Sequence, residues 1–124
     1  MRTLGVTLER VAPGEVDLAL AFREDLTQQH GFLHAGVITA AVDSACGYAA
    51  LSLMDPGVAV LSVEFKVQLL APARGSRFLA LGRVVRAGRT ITVVSGELRN
   101  DSDEVVALLN GTMMAVRDRP DLSD

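Results

Sequence analysis

Between Ala35 and Met54 the chain runs for about twenty residues without proline, rich in alanine, until Asp55-Pro56-Gly57 closes the segment. That is a helix with a sharp stop signal. Val37, Ile38, Ala41, Val42, Ala45, Cys46, Ala49, Ala50, Leu51 and Leu53 spread around its whole circumference. A helix that is apolar all round is either buried or spans a membrane. Twenty residues rise about 30 Å, enough to cross a bilayer. Asp43 argues against that reading, because an acid near the bilayer centre costs about 2.5–3.5 kcal/mol on the insertion scale. The flanks, His34 and Asp55, also lack an adjacent Lys or Arg. The helix is therefore expected to be wrapped by a sheet.

The remaining segments supply that sheet. Val16, Leu18, Leu20 and Phe22 alternate with Glu15, Asp17, Ala19 and Ala21, the period of a half-buried strand over Glu15–Phe22. After the helix come strand patterns over Val58–Leu70, Ser76–Arg86, Arg89–Arg99 and Glu104–Val116. In the first of these, alternation places Leu61, Val63, Phe65, Val67 and Leu69 on one face, and Ser62, Glu64, Lys66 and Gln68 on the other. Ala87-Gly88 and Asn100-Asp101-Ser102-Asp103 are short connections, so the last three strands are expected to be antiparallel neighbours. The order of strand, helix and four strands predicts an α+β fold with one long helix on an antiparallel sheet. Residues 1–124 are expected to form a single domain, with a frayed polar tail over 118–124.

Composition narrows the function. Apolar residues make up 49% and charged residues 22% of the 124, which argues against disorder. Twelve basic and fifteen acidic side chains give a net charge of −3, without the basic field of a nucleic-acid binder. A lone Cys46 excludes an internal disulfide. No apolar run of signal-peptide length occupies the first residues, and a cytoplasmic location is expected.

Asp43 is the residue that needs explaining. A carboxylate in such a helix must be paired, hydrogen-bonded or protonated. Two readings remain open on the residues alone: a structural hydrogen bond or water-facing cleft, and a functional acid. Thr39, Asp43 and Gly47 form a small, polar stripe along which a ligand or a second backbone can approach. Gly31, Ala35 and Gly36 leave backbone N–H groups near the helix start, where the dipole favours an oxyanion. Ala35 and Asp43 lie eight residues apart, about 12 Å along a regular helix. One reacting group cannot touch both. If both act on it, they belong to different chains, and the site lies across a homodimer interface.

His34-Ala35-Gly36, with Asp43 nine residues after the His, resembles the PaaI-like hotdog-fold thioesterases of phenylacetate degradation. The resemblance runs through the Val60-Leu61-Ser62-Val63-Glu64-Phe65 strand and Gly111-Thr112 of the last strand. It implies a hotdog fold, one long central helix wrapped by a five- to six-stranded antiparallel sheet. It also implies hydrolysis of acyl-coenzyme A thioesters at a dimer interface, with dimers pairing into tetramers. Asp43 takes the place of the catalytic acid, as nucleophile or as general base. The backbone N–H of Ala35 takes the place of the oxyanion donor, where the family usually has Gly. His34 matches the motif His that holds the loop, and Ser62 a Ser or Thr that orients the water or the acid. Gln28 stands where a relative has Asn.

No cofactor is implied beyond coenzyme A, which is part of the substrate. For its phosphates, Arg89 and Thr90, with Arg86 nearby, are the candidates, and Arg74 and Arg77 are equally available. Neither the membrane nor nucleic acid is expected as a partner. His30 and His34 are too few for a catalytic metal site, so no metal is expected. A Cys46–His34 dyad fails because twelve helical residues span about 18 Å. Two other functions fit the same fold: a non-catalytic acyl-coenzyme A or acyl-carrier binding module, and an enoyl-coenzyme A hydratase. The hydratase pattern needs a His downstream of the Asp, and none follows His34.

Overall fold

A computed structural model describes residues 5–23 and 32–117. The segment 24–31, which includes Gln28 and His30, and the tail 118–124 lie outside the described residues. The elements follow as β1 (Val6–Ala12), β2 (Glu15–Ala21), α1 (Ala35–Leu51), β3 (Ala59–Leu69), β4 (Arg77–Ala87), β5 (Ile91–Asn100) and β6 (Val105–Val116). The six strands form one antiparallel sheet in the order β1-β2-β4-β5-β6-β3, and α1 lies across it.

Every strand read from periodicity is present, with ends within two residues of expectation. The extra strand is β1. Its alternation is interrupted between Leu8 and Arg10, where the pairing with β2 shifts by one residue. Such a bulge places two residues opposite one and erases the period-two signal. The helix stops at Leu51 rather than Met54. Ser52 explains this, since its Oγ donates to Ala49 O at 2.6 Å and accepts from the Gly14 N–H at 2.8 Å. That tie fixes the helix end to the β1–β2 turn, and Leu53 and Met54 continue as tight turns back to Ala50 and Leu51.

Phe78, Leu20, Leu98, Leu109, Met113 and Val94 fill the core between sheet and helix. The helix sits closest where Gly82 of β4 faces Gly96 of β5 across the ladder. A Cβ on Gly82 would lie 2.3 Å from the Ala45 carbonyl, and one on Gly96 would lie 2.6 Å from Val42 Cγ1. The two glycines are the floor on which Ala45 and Cys46 rest. They fix the height of α1, and so of Asp43, above the sheet.

On its other side β3 has no neighbour among the described residues, and Leu61, Val63, Phe65 and Leu69 along it are each at least 40% exposed. An apolar edge strand of this length offers a row of unpaired backbone groups to a second chain.

Candidate active site

Asp43 is half-buried, at the middle of the helix on the side facing β3. It lines a cavity of about 170 Å³ with Ser44, Gly47, Tyr48, Ser62 and Met113. Its partner is Ser62, whose Oγ donates to Asp43 Oδ1 at 2.8 Å. Met113 Sδ lies 3.2 Å from the same hydroxyl. Ser62 has one proton, and a carboxylate is the stronger acceptor, so the hydroxyl anchors Oδ1 and leaves Oδ2 for a substrate or water.

The position of Ser62 corrects the alternation read from sequence. The β3–β6 pairing shifts between Ser62, opposite Met113, and Glu64, opposite Thr112, so Val63 is an extra residue. Antiparallel partners share a face, and Met113 is in the core. Ser62 therefore points at the helix along with Phe65, Val67 and Leu69. Leu61 falls on the outer face with Glu64, Lys66 and Gln68. Without the bulge the hydroxyl would point away from Asp43.

His34 is the helix N-cap, in extended conformation (φ −63°, ψ 141°), and its Nδ1 accepts from the Gly36 N–H at 2.9 Å. Its carbonyl accepts from Val37 and Ile38. Of the first-turn donors, Ala35 N–H has no hydrogen-bond partner among the described residues. Ala35 lines a separate cavity of about 390 Å³ with Phe32, Leu33, Ile38 and residues 69–73. The structure thus brings Asp43 and Ser62 together and leaves His34 and Ala35 apart from them, at the N-terminal end of the helix. Gln28 lies outside the described residues.

Arg86, Arg89 and Thr90 surround the β4–β5 turn, which the Gly88 N–H closes on Ile91 O. Thr92, Met113 and Ser62 form one cross-strand row, and Ile91, Met114 and Leu61 the next. The turn therefore overhangs the end of the sheet nearest Ser62. The sequence reading missed Arg117, just past β6, whose Nη2 donates to Arg89 O at 2.6 Å and adds a cation to the group. Arg77 is paired with Glu9, and Arg74 lies 4.8 Å from the centre of the Phe32 ring, beside the Ala35 cavity.

Cys46, next to the glycine floor, is fully buried. Burial, reinforced by the Asp43 carboxylate, pushes its thiol up to about 12, against smaller opposing effects from Arg83. It is a protonated core residue. Among the described residues no three His, Cys, Asp or Glu side chains converge as metal ligands, and no helix is long and apolar enough to cross a membrane.

The sequence model of the thioesterase superfamily matches residues 30–107, which includes α1 and β3 to β5. The medium/long-chain acyl-CoA thioesterase YigI of Escherichia coli is 28% identical over 128 residues, covering 91% of this chain and 83% of that protein. A thioesterase family protein from Silicibacter pomeroyi is 47% identical in its crystal structure, with a TM-score of 0.91 over 94% of this chain and 88% of that one. The PaaI protein of the E. coli phenylacetic acid degradation operon, 22% identical, shares the fold with a TM-score of 0.86 over 93% of this chain and 82% of that one. With its helix wrapped by a six-stranded hotdog sheet, the chain belongs to the thioesterase superfamily and is a thioester hydrolase.

Proposed function

We propose that the substrate is an acyl-coenzyme A with an aryl or medium-chain acyl group, and that Asp43 is the acid that drives its hydrolysis. The hydrogen bond from Ser62 to Asp43 carries this reading, since it orients a carboxylate inside a cavity open to solvent. The substrate class is supported by the acyl-coenzyme A thioesterase named among the relatives.

The oxyanion donor comes from a second subunit. On one chain, Asp43 and Ala35 are separated by about 12 Å of helix, and their cavities lie beside Ser62 and Leu69 of β3. Two β3 edges paired antiparallel about a two-fold axis between Phe65 and Lys66 set Ser62 opposite Leu69 of the partner subunit. That symmetry brings Ala35 of the partner subunit to Asp43 and covers the apolar β3 edge in one step. Dimers pairing into tetramers are part of the same reading.

In the assembled site the Ala35 N–H of the partner subunit holds the thioester carbonyl oxygen as it gains charge. Asp43 Oδ2 either takes a proton from an attacking water or attacks the carbonyl carbon itself, and either attack gives a tetrahedral adduct. Its collapse breaks the C–S bond, and coenzyme A leaves as a thiolate that is protonated by solvent. The first route releases the free acid directly, and the second leaves an acyl-aspartyl anhydride that water hydrolyses to the acid and the Asp43 carboxylate. His34 holds the first helical turn that presents Ala35. Arg86, Arg89, Thr90 and Arg117 form the polar rim for the coenzyme phosphates, at the end of the sheet beside Ser62. Gln28 is carried by the resemblance as a further polar contact.

Thiol release from a panel of short to long aliphatic and aryl acyl-coenzyme A esters, by wild type and Asp43→Asn together, tests the proposal. Turnover that vanishes in the variant supports it. Full activity in Asp43→Asn removes Asp43 from the chemistry. Inactivity of both, with bound uncleaved ester, favours a binding module.

A further inference from the structure

A third cavity, of about 440 Å³, lies where the β1–β2 hairpin overhangs the C-terminal half of α1. This is within the size range of small-ligand pockets. Leu8 and Val11 of β1, Leu18 of β2, and Tyr48 and Leu51 of the helix are among its walls. Tyr48 and Leu51 also line the Asp43 cavity, so the two spaces adjoin over the exposed side of the helix. Gly47 lies between Asp43 and Leu51 in the helix, and a Cβ built on it would meet nothing within 4 Å. The space above Gly47, between the acid and the groove, is open.

The groove is built to be apolar. The bulge after Leu8 lets Val11 pair with Val16, turning Val11 inward and sending Arg10 to the opposite face, where it meets Glu15 and Asp17. An unbroken strand would have put the Arg10 guanidinium beside Leu8. The hydroxyl of Ser52 at the helix end is engaged by Ala49 O and the Gly14 N–H. Leu8 and Val11 are 62% and 55% exposed, leaving large apolar side chains without cover. From Asp43 to Leu51 the helix rises about 12 Å, room for an extended chain rather than a short acyl group.

We infer that this groove holds the aliphatic tail of the acyl group, which runs from the carbonyl at Asp43 over Gly47 and past Tyr48 to lie against Leu8 and Val11. The inference rests on the thioesterase reading and adds a chain-length selector to it: the protein prefers unbranched acyl chains long enough to reach β1.

S-alkyl-coenzyme A thioethers, which bind without being cleaved, test the groove separately from the chemistry. Dissociation constants of S-butyl- and S-decyl-coenzyme A are measured for wild type, Leu8→Asp and Val11→Asp, with the sedimentation of each. Each buried methylene is expected to tighten wild-type binding by up to about fourfold. Either aspartate should reduce the decyl-to-butyl affinity ratio at least tenfold, and this ratio is internal to each variant. A wild-type preference for decyl that both variants retain overturns the groove, as does equal binding of the two thioethers by wild type. A change in oligomeric mass with an unchanged ratio assigns the surface to a second copy of the chain and also overturns it. Loss of turnover in Asp43→Asn is read independently, so a failed groove leaves the thioesterase reading standing.

Discussion

Ser62 on the edge strand β3 holds the Asp43 carboxylate of helix α1 through a single 2.8 Å hydrogen bond between residues 19 positions apart in sequence. The bond gives the carboxylate one fixed oxygen and one free oxygen. Ser62→Ala should lower kcat by about 10- to 100-fold, the worth of a hydrogen bond to a charged group, while far-UV circular dichroism stays native. Ser62→Thr should recover most of the rate. An alanine variant with wild-type kcat would show that the carboxylate needs no anchor.

The two-chain site predicts that activity and assembly are lost together. Phe65→Lys places a second cation beside Lys66 near the proposed two-fold axis, where like charges repel across the interface. Sedimentation should report a monomer with thioesterase turnover at background. A fully active monomer would place the oxyanion donor within one chain.

Glycine substitutions should separate stability from function. Gly82→Ala and Gly96→Ala force a Cβ into the helix, where the nearest atoms would be 2.3 and 2.6 Å away. Each should lower Tm by roughly 5–10 °C, as overpacking does. Gly47→Ala meets open space and should raise stability by about 0.5–1 kcal/mol through helix propensity. Its methyl group nevertheless enters the passage beside Asp43, so turnover of long-chain esters should fall. Thermal melts and kcat/KM on one set of proteins check all three.

Cys46 sets an alkaline limit. In the unfolded chain its thiol ionises near the ordinary value of 9.0, and in the native protein only near 12. Between these values the unfolded state binds fewer protons, so stability is intact below pH 9 and falls as pH rises above it. Urea midpoints measured from pH 7 to 10.5 should show the decline, with a shallower slope in Cys46→Ala. A disulfide-forming thiol reagent at neutral pH should label the protein only after denaturation.

The sequence displays what depends on local pattern. An acid in a helix otherwise apolar all round is a contradiction visible without coordinates, and it led directly to Asp43. The long strand runs are equally plain, even in β3, where an inserted residue shifts the pairing. The short β1 is not legible, and alternation puts Ser62 on the outer face, because a bulge inserts a residue and inverts the alternation beyond it, and nothing in Leu8-Glu9-Arg10 or Ser62-Val63-Glu64 announces the insertion. Ser62 was found through the resemblance, and geometry then supplied the face that periodicity had misplaced. Arg117 escaped because a cation at a strand end has no signature until its neighbour is known. The glycines inside β4 and β5 did carry a signal, since glycine within a strand marks close backbone approach.

At Gly82 the helix backbone of Ala45 and Cys46 rests directly on the β4 backbone. Backbone resting on backbone has no rotamers to exchange, so this bearing beneath α1 is insensitive to repacking of side chains elsewhere in the core. The walls around Leu8, Val11 and Tyr48 stand apart from that bearing. Wall residues can therefore be exchanged to reshape the groove while Asp43 stays at the height above the sheet that the bearing sets.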